Sequence, residues 1–276
     1  MQAIVSTDWL QEQLDDPQII LLFVMGLKKS QSALAEANVQ IPGSRWFDLN
    51  TTFKDPASSL PNTLPNPADF QKNCQELGIN QDSTIVLYDA SGIYASPRAW
   101  WLFRVMGHKK VVVLNGGLPA WLDAGGVTEA FQKNAAEKGN FITELQIDQV
   151  QYTDAMLENT KQQQAQVLDA RSAGRFAGTE PEPRAGLSSG HIPGSKSLPF
   201  TKVLKDGKFK STEELKKVFK DLQLDERPLV FSCGSGITAC ISLLAAEQVL
   251  ENPTSVYDGS WTEWATTEGL PVAKAE

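Results

Sequence analysis

The sequence predicts an α/β fold built twice, each copy a mostly parallel sheet covered by helices on both faces. Three observations predict it. First, the chain repeats itself. Ile41-Pro42-Gly43-Ser44 returns as Ile192-Pro193-Gly194-Ser195, TIVLYDASGIYAS (84–96) as PLVFSCGSGITAC (228–240), and NGGLPAW (115–121) as DGSWTEW (258–264). The blocks keep their order and a near-constant offset, and Val5-Ser6-Thr7-Asp8 resembles Gln151-Tyr152-Thr153-Asp154. Second, Ile85-Val86-Leu87-Tyr88 and Leu229-Val230-Phe231-Ser232 are short apolar runs, as expected of strands buried on both faces. Third, each run passes through a Gly-containing turn into a helical stretch. Strands alternating with helices imply a parallel sheet.

The elements follow in order. The helix after the first run spans Pro97 to Met106, and Pro97 fits its first turn, where a missing N–H costs little. Its counterpart spans Thr238 to Leu250. Val111 to Leu114 reads as the next strand, and Ser255-Val256-Tyr257 as its weaker counterpart. Gly126 to Leu145 is polar without strong periodicity. We therefore expect a first domain over 1–130, a linker over 131–146 and a second domain over 147–276.

Bulk properties narrow the function. A chain of 276 residues, 41% hydrophobic, can bury a core in two domains of ordinary size. With a net charge of -8 and no basic block, nucleic acid is not an expected partner, because phosphate neutralisation needs clustered cations. Three cysteines cannot all pair, which points to a reducing compartment. The opening MQAIVSTDWLQEQLDD has no positive stretch followed by an apolar one, so no secretory signal is expected. The run Ile19 to Met25 is too short to span a bilayer. A cytoplasmic protein without a membrane partner is the expectation.

Self-alignment sets Asp89 of the first copy against Cys233 of the second, which suggests one reactive copy and one supporting copy. Cys233 ends a buried strand, and Gly234-Ser235-Gly236-Ile237-Thr238 curls into the helix behind it. Successive backbone N–H groups in such a loop form a concave anion site, and the helix N-terminus adds its positive end. Both favour thiolate over thiol. The glycines let the backbone approach the sulfur. A free cysteine is ordinarily a small core residue, and Cys240 and Cys74 are read that way, Cys74 sharing a helical face with Phe70 and Leu77. The Gly-Ser-Gly junction sets Cys233 apart.

Four motifs then resemble the rhodanese/3-mercaptopyruvate sulfurtransferase family in its tandem form. They are CGSGIT (233–238), LDARSAGRFAGTEPEPR (168–184), GHIPGS (190–195) and DGSWTEW (258–264). The resemblance covers nearly the whole chain and implies two rhodanese-like domains with the reactive cysteine in the second. It implies that Cys233 carries sulfur as a persulfide from a small anionic donor to a thiol or cyanide acceptor, a thioredoxin-like dithiol among them. No metal or organic cofactor is implied, and no Cys/His cluster with zinc-ligand spacing is present.

The resemblance also distributes roles. Cys233 and Ser235 would be catalytic, and the loop residues Gly234, Gly236, Ile237 and Thr238 would surround the donor. Arg175 and Arg184 match the family's substrate-binding arginines, a planar fork suiting a carboxylate. Arg171 is expected to pair with Asp169. Thiosulfate-preferring members resemble Cys-Arg-Lys-Gly-Val-Thr, whereas Gly234 and Ser235 stand here in place of the two cations. A neutral loop suits a monoanionic α-keto acid better than a dianion. One departure matters. Mercaptopyruvate enzymes are proposed to join the loop serine to a His and an Asp of the first domain. The stretch FDLNTTFKDPASSLPNTLP has no histidine, and Asn50 and Asn62 fall near the expected places. His108 and His191 both read as structural.

Three rival readings remain. Thiosulfate sulfurtransferase uses the same persulfide chemistry. Cysteine phosphatases need His before the Cys and Arg six residues after it, where this chain has Ser232 and Ala239. A non-catalytic binding or sensing module would have no reason to keep Cys233 and the arginines. The donor site is expected to be walled in part by the first domain, as ligand sites often are.

Overall fold

The computed structural model describes residues 2–26, 38–133 and 135–274. The chain forms two compact units: Met1–Pro56 with Leu64–Gln146 and Asp206–Phe209, and Ala57–Thr63 with Ile147–Lys205 and Lys210–Glu276. Each half thus lends a short segment to the other half's unit.

The first unit is a five-stranded sheet of β1 (Ile4–Val5), β2 (Ile19–Met25), β4 (Arg45–Asp48), β5 (Thr84–Tyr88) and β6 (Val111–Leu114), in the order β1-β6-β5-β2-β4. Every pairing in it is parallel. A short pair, β3 (Val39–Gln40) and β7 (Glu129–Ala130), runs antiparallel beside it. All five residues of β5 and all four of β6 are buried. Because successive side chains point to opposite faces, both faces must be covered. On one, Val86, Tyr88, Val112 and Leu114 pack with Leu10 of α1 (Thr7–Gln13) and with Leu118 and Trp121 of α4 (Gly117–Asp123). On the other, α3 (Ser96–Val105) lies along β5 and β6. Helix α2 (Pro67–Glu76) buries Phe70 and Cys74. Leu77 caps that helix and is only half-buried.

The stretch 131–146 carries no helix or strand among its described residues. It is nevertheless held: Phe141 is buried, its N–H donates to the Ile79 carbonyl, and the Glu144 and Gln146 N–H groups donate to the Met106 and Val105 carbonyls.

The second unit repeats the plan. Strands β8 (Val150–Gln151), β9 (Gln166–Asp169), β10 (Lys196–Ser197), β13 (Leu229–Ser232) and β14 (Thr254–Tyr257) give a parallel sheet in the order β10-β9-β13-β14-β8. Read from its other edge, this is the order of the first sheet. Helices α5 (Thr153–Gln162) and α9 (Ser260–Thr266) cover one face through Met156, Trp261 and Trp264. The short α6 (Ala173–Ala177) follows β9, capped by Ser172, whose Oγ accepts the Arg175 N–H. Helix α8 (Thr238–Ala246) covers the other face, with α7 (Thr212–Asp221) packed on it. Helix α7 opens with a capping box, Ser211 Oγ accepting from the Glu214 N–H and the Glu214 carboxylate accepting from the Ser211 N–H. Strand β11 (Leu204–Lys205) belongs to this unit, and β12 (Lys208–Phe209) to the first.

The duplicated turns match in detail. Ser44 Oγ donates to the Ile41 carbonyl at 2.6 Å, and Ser195 Oγ to the Ile192 carbonyl at 2.6 Å. One expectation needs correcting: α8 ends at Ala246, not Leu250. Its ladder gives way there to tighter bonds, Gln248 N–H to the Ala245 carbonyl and Val249 N–H to the Ala246 carbonyl.

Candidate active site

Strand β13 ends at Ser232, and the next residue is Cys233, 2% exposed. The loop curls back so that the Gly236 N–H donates to the Cys233 sulfur at 3.1 Å. Gly236 reaches this geometry at φ 80°, where a side chain would be strained. The peptide on its other side is also held, Cys240 S–H donating to the Gly236 carbonyl at 3.3 Å. Cys240 is thus a packed core residue that also touches the loop. Gly234 and Ser235 are half-buried and mark the open side, while Ile237 is buried and Thr238 opens α8. The sulfur therefore meets an inward-facing amide rather than hydrocarbon alone.

Helix α9 fixes the loop from the side. Ser260, buried at φ 51°, accepts the Cys233 N–H on its Oγ at 3.3 Å and donates to the Tyr257 carbonyl at 2.9 Å. The Trp261 N–H donates to the Cys233 carbonyl at 2.9 Å. Thr262 donates to the Gly234 carbonyl twice, from Oγ1 at 2.6 Å and from its N–H at 3.1 Å.

The arginines reach the loop through a buried ionic chain. Asp169 accepts from Arg171 Nη2 at 2.6 Å, and Arg171 Nη1 donates to Glu182 at 2.8 Å. Glu182, its side chain 1% exposed, accepts in turn from Arg175 Nη2 at 2.5 Å and Nε at 3.0 Å. Arg171 stacks 4.2 Å over the Trp261 ring. Burial pulls the Arg171 pKa down, but Asp169 and then Glu182 outweigh it and hold it above the usual arginine value. Two carboxylates thus offset two arginines, and the chain is balanced internally, as buried charges must be.

Arg175 and Arg184 converge on Gly234. A Cβ built on Gly234 would stand 3.0 Å from Arg175 Nη2 and 3.9 Å from Arg184 Nη1. A Cβ there would press on the Arg175 guanidinium and only touch that of Arg184. Glu182 occupies the Nε/Nη2 edge of Arg175, so that arginine offers a ligand only its outer edge. Arg184 Nη1 donates to Thr262 Oγ1 at 3.2 Å, which joins the second cation to the loop carbonyl through one hydroxyl.

Ser235 is joined to Asn62, whose Nδ2 lies 3.1 Å from both its carbonyl oxygen and its Oγ. The other asparagine of that stretch has a different partner: Asn50 Nδ2 donates to the Gly26 carbonyl at 3.4 Å. Both histidines are structural in placement. His108 is buried with Nε2 3.0 Å from the Ser83 carbonyl. His191 places Nδ1 2.9 Å from the Phe176 carbonyl and stacks on the Phe176 ring. Among the described residues, no group of three or more His, Cys, Asp or Glu could hold a metal ion, and no helix is long and apolar enough to cross a membrane.

Sequence reasoning missed Glu182, Ser260 and Thr262. Ser260 did leave a signal, since self-alignment sets it opposite Gly117, a glycine at φ 55°. Glu182 sits in EPEPR between the two motif arginines, and an acid among cations that must be desolvated is a candidate buried partner. Thr262 left none.

Comparison with known proteins agrees with this layout. A model of the rhodanese-like domain matches residues 6–124 and again 150–267. The 3-mercaptopyruvate sulfurtransferase of Escherichia coli K12 is 38% identical over 97% of this chain and 96% of its own length. A mouse protein named thiosulfate sulfurtransferase is also 38% identical, over 95% of this chain and 92% of its own. The crystal structure of a 3-mercaptopyruvate sulfotransferase from Escherichia coli superposes with a TM-score of 0.83 at 34% identity, covering 95% of this chain and 99% of that one.

Proposed function

The chain belongs to the rhodanese-like family and carries the domain twice; it is a sulfurtransferase, and we propose that its Cys233 takes sulfur from 3-mercaptopyruvate. The observation that carries the donor assignment is the meeting of Arg175 and Arg184 on a side-chain-free Gly234. The Cys233 loop adds no cation of its own, and Glu182 already engages one edge of Arg175. Such a rim suits one carboxylate better than a compact dianion.

The reaction runs in two halves. The Cys233 thiolate forms a bond to the donor sulfur as the C–S bond breaks, and the bonding pair passes into the enolate of pyruvate. The donor's thiol proton ends on the methyl carbon, leaving the persulfide as an anion. The Gly236 N–H, 3.1 Å from the Cys233 sulfur, and the head of α8 favour that negative group. An acceptor thiolate, such as that of a thioredoxin-like dithiol, or cyanide, then attacks the outer sulfur and returns the electron pair to Cys233. Ping-pong kinetics follow. The first domain, with Asp89 at the cysteine position, serves as a non-reactive support over 1–130. Three free thiols fit a reducing compartment such as the cytoplasm.

Thiosulfate is the second reading, because relatives of equal identity carry either name. The comparison of kcat/KM for the two donors decides, and a clear preference for thiosulfate would overturn the assignment. Incubation with mercaptopyruvate should add roughly 32 Da to the intact protein as one sulfur, and Cys233→Ser should abolish both adduct and turnover.

A further inference from the structure

Asn62 sets the direction of the Ser235 hydroxyl. It is 4% exposed and stands at φ 60°, a left-handed conformation that Asn tolerates better than most residues. Its segment, Ala57–Thr63, belongs to the compact unit that holds Cys233. The amide nitrogen is 3.1 Å from the Ser235 carbonyl and 3.1 Å from Ser235 Oγ. A carbonyl oxygen only accepts, so the atom facing it must be nitrogen; this removes the usual ambiguity over which way an Asn amide points. The nitrogen has two protons, one for each oxygen. Ser235 Oγ is therefore an acceptor toward Asn62, and its own proton is aimed elsewhere. Ser235 is half-buried, on the open side of the loop.

We propose that Asn62 is a positioning residue that makes Ser235 a fixed hydrogen-bond donor to the keto oxygen of an α-keto sulfur donor. The proposal rests on the mercaptopyruvate reading above. When the C–S bond of such a donor breaks, charge grows on the keto oxygen, and a donor held ready there stabilises the transition state more than the ground state. A basic imidazole beside Ser235 would draw the serine proton toward itself. A carboxamide nitrogen has no lone pair to offer, so it turns the hydroxyl outward at every pH. No net proton leaves Ser235 in this step, since the donor's own S–H supplies the methyl proton. Sulfite leaving from thiosulfate forms no enolate and gains less from such a donor.

The test is a double-mutant cycle on Asn62 and Ser235, read as kcat/KM for each sulfur donor. Asn62→Ala and the near-isosteric Asn62→Asp, whose carboxylate would take the serine proton, should each lower mercaptopyruvate turnover by about 10- to 100-fold. The loss with thiosulfate should be at least about tenfold smaller, and adding Asn62→Ala to Ser235→Ala should cost no more than about threefold. Intact mass after a single long exposure to mercaptopyruvate should still show the persulfide in each Asn62 variant. Equal losses with both donors, additive losses in the double variant, or an Asn62→Asp protein as fast as wild type would overturn the role of Asn62 alone. A wild-type protein that does not turn over mercaptopyruvate would overturn this inference and the donor assignment together.

Discussion

The two strand–helix loops of this chain, one at Asp89 and one at Cys233, share a backbone plan and differ in what fills it. At Asp89 the carboxylate occupies the cradle. Oδ2 accepts the N–H groups of Tyr94, Ala95 and Ser96 and the Ser96 hydroxyl, and Oδ1 accepts the Ser91 N–H. Burial still pushes the Asp89 pKa up, against the pull of those amides. At Cys233 a sulfur takes the Gly236 N–H from the same kind of loop. The clamp from the following helix is common to both: Leu118 N–H donates to the Asp89 carbonyl at 3.0 Å, as Trp261 N–H does to the Cys233 carbonyl at 2.9 Å. Gly117 at φ 55° and Ser260 at φ 51° occupy the same left-handed position. The first copy therefore fills its cradle with its own carboxyl group, and the second fills it with the Cys233 sulfur. The loop is scaffold, and its occupant decides the chemistry.

The largest effect comes from asking whether the loop alone suffices. In a Cys233→Ala background, Asp89→Cys puts a thiol in the first cradle. We expect no sulfur adduct and a loss of turnover of more than about 1000-fold, because the first copy has no counterpart of Arg171 or Thr262. By strand register, Phe23 stands opposite Tyr88 where Asp169 stands opposite Ser232, so Met25 falls where Arg171 falls. Pro119 follows Leu118 where Thr262 follows Trp261. Mass spectrometry after donor exposure checks it, and an adduct on the introduced thiol would mean that the amides do most of the work.

A smaller effect isolates the Thr262 hydroxyl, which the first copy cannot supply. Thr262→Val keeps the shape and the backbone N–H to Gly234 but removes the bridge between that carbonyl and Arg184. We expect kcat/KM for mercaptopyruvate to fall about 10-fold, mostly through KM, as a hydrogen bond to a charged group is lost. Thr262→Ser should stay within about threefold of wild type. Steady-state kinetics on the two variants separate the hydroxyl from the fold, since a purely packing role would make Val the milder change.

The comparison also explains what was legible in the sequence. The duplication was plain because IPGS, the buried strands and the Gly-containing turns are local patterns repeated in order. The Cys233 loop was legible for the same reason. Contacts made at a distance were not. Asn62 meets Ser235 across 173 residues, and Arg184 meets Thr262 across 78; neither follows from any periodicity. Lack of a histidine in the stretch around Asn62 could be seen, but not that Asn62 rather than Asn50 would reach the serine. Glu182 was hidden for another reason: a glutamate between prolines looks like exposed loop until its pairing with the buried Arg171 is known.

The smallest expected effect concerns His108, which lies away from either loop but separates the copies by stability rather than chemistry. Its Nε2 faces the Ser83 carbonyl, which only accepts, so that nitrogen carries the proton in the neutral ring. Burial lowers its pKa below the ordinary 6.5, against a smaller upward pull from hydrogen bonds with the Ser83 and Lys110 backbone. A lowered folded-state pKa means that, between the folded value and about 6.5, the unfolded chain binds a proton that the native state refuses. The stabilisation is complete above about pH 6.5, is lost as pH falls through the folded value, and levels off below it, where both states are protonated. Urea unfolding followed from about pH 7.5 to about pH 5, a window that brackets the free imidazole value, should show this slope in wild type. His108→Gln, which keeps a donor toward Ser83 but cannot titrate, should remove that component of it. An unchanged slope in the variant would place the titrating group elsewhere and leave His108 only its packing against Phe103 and Phe141.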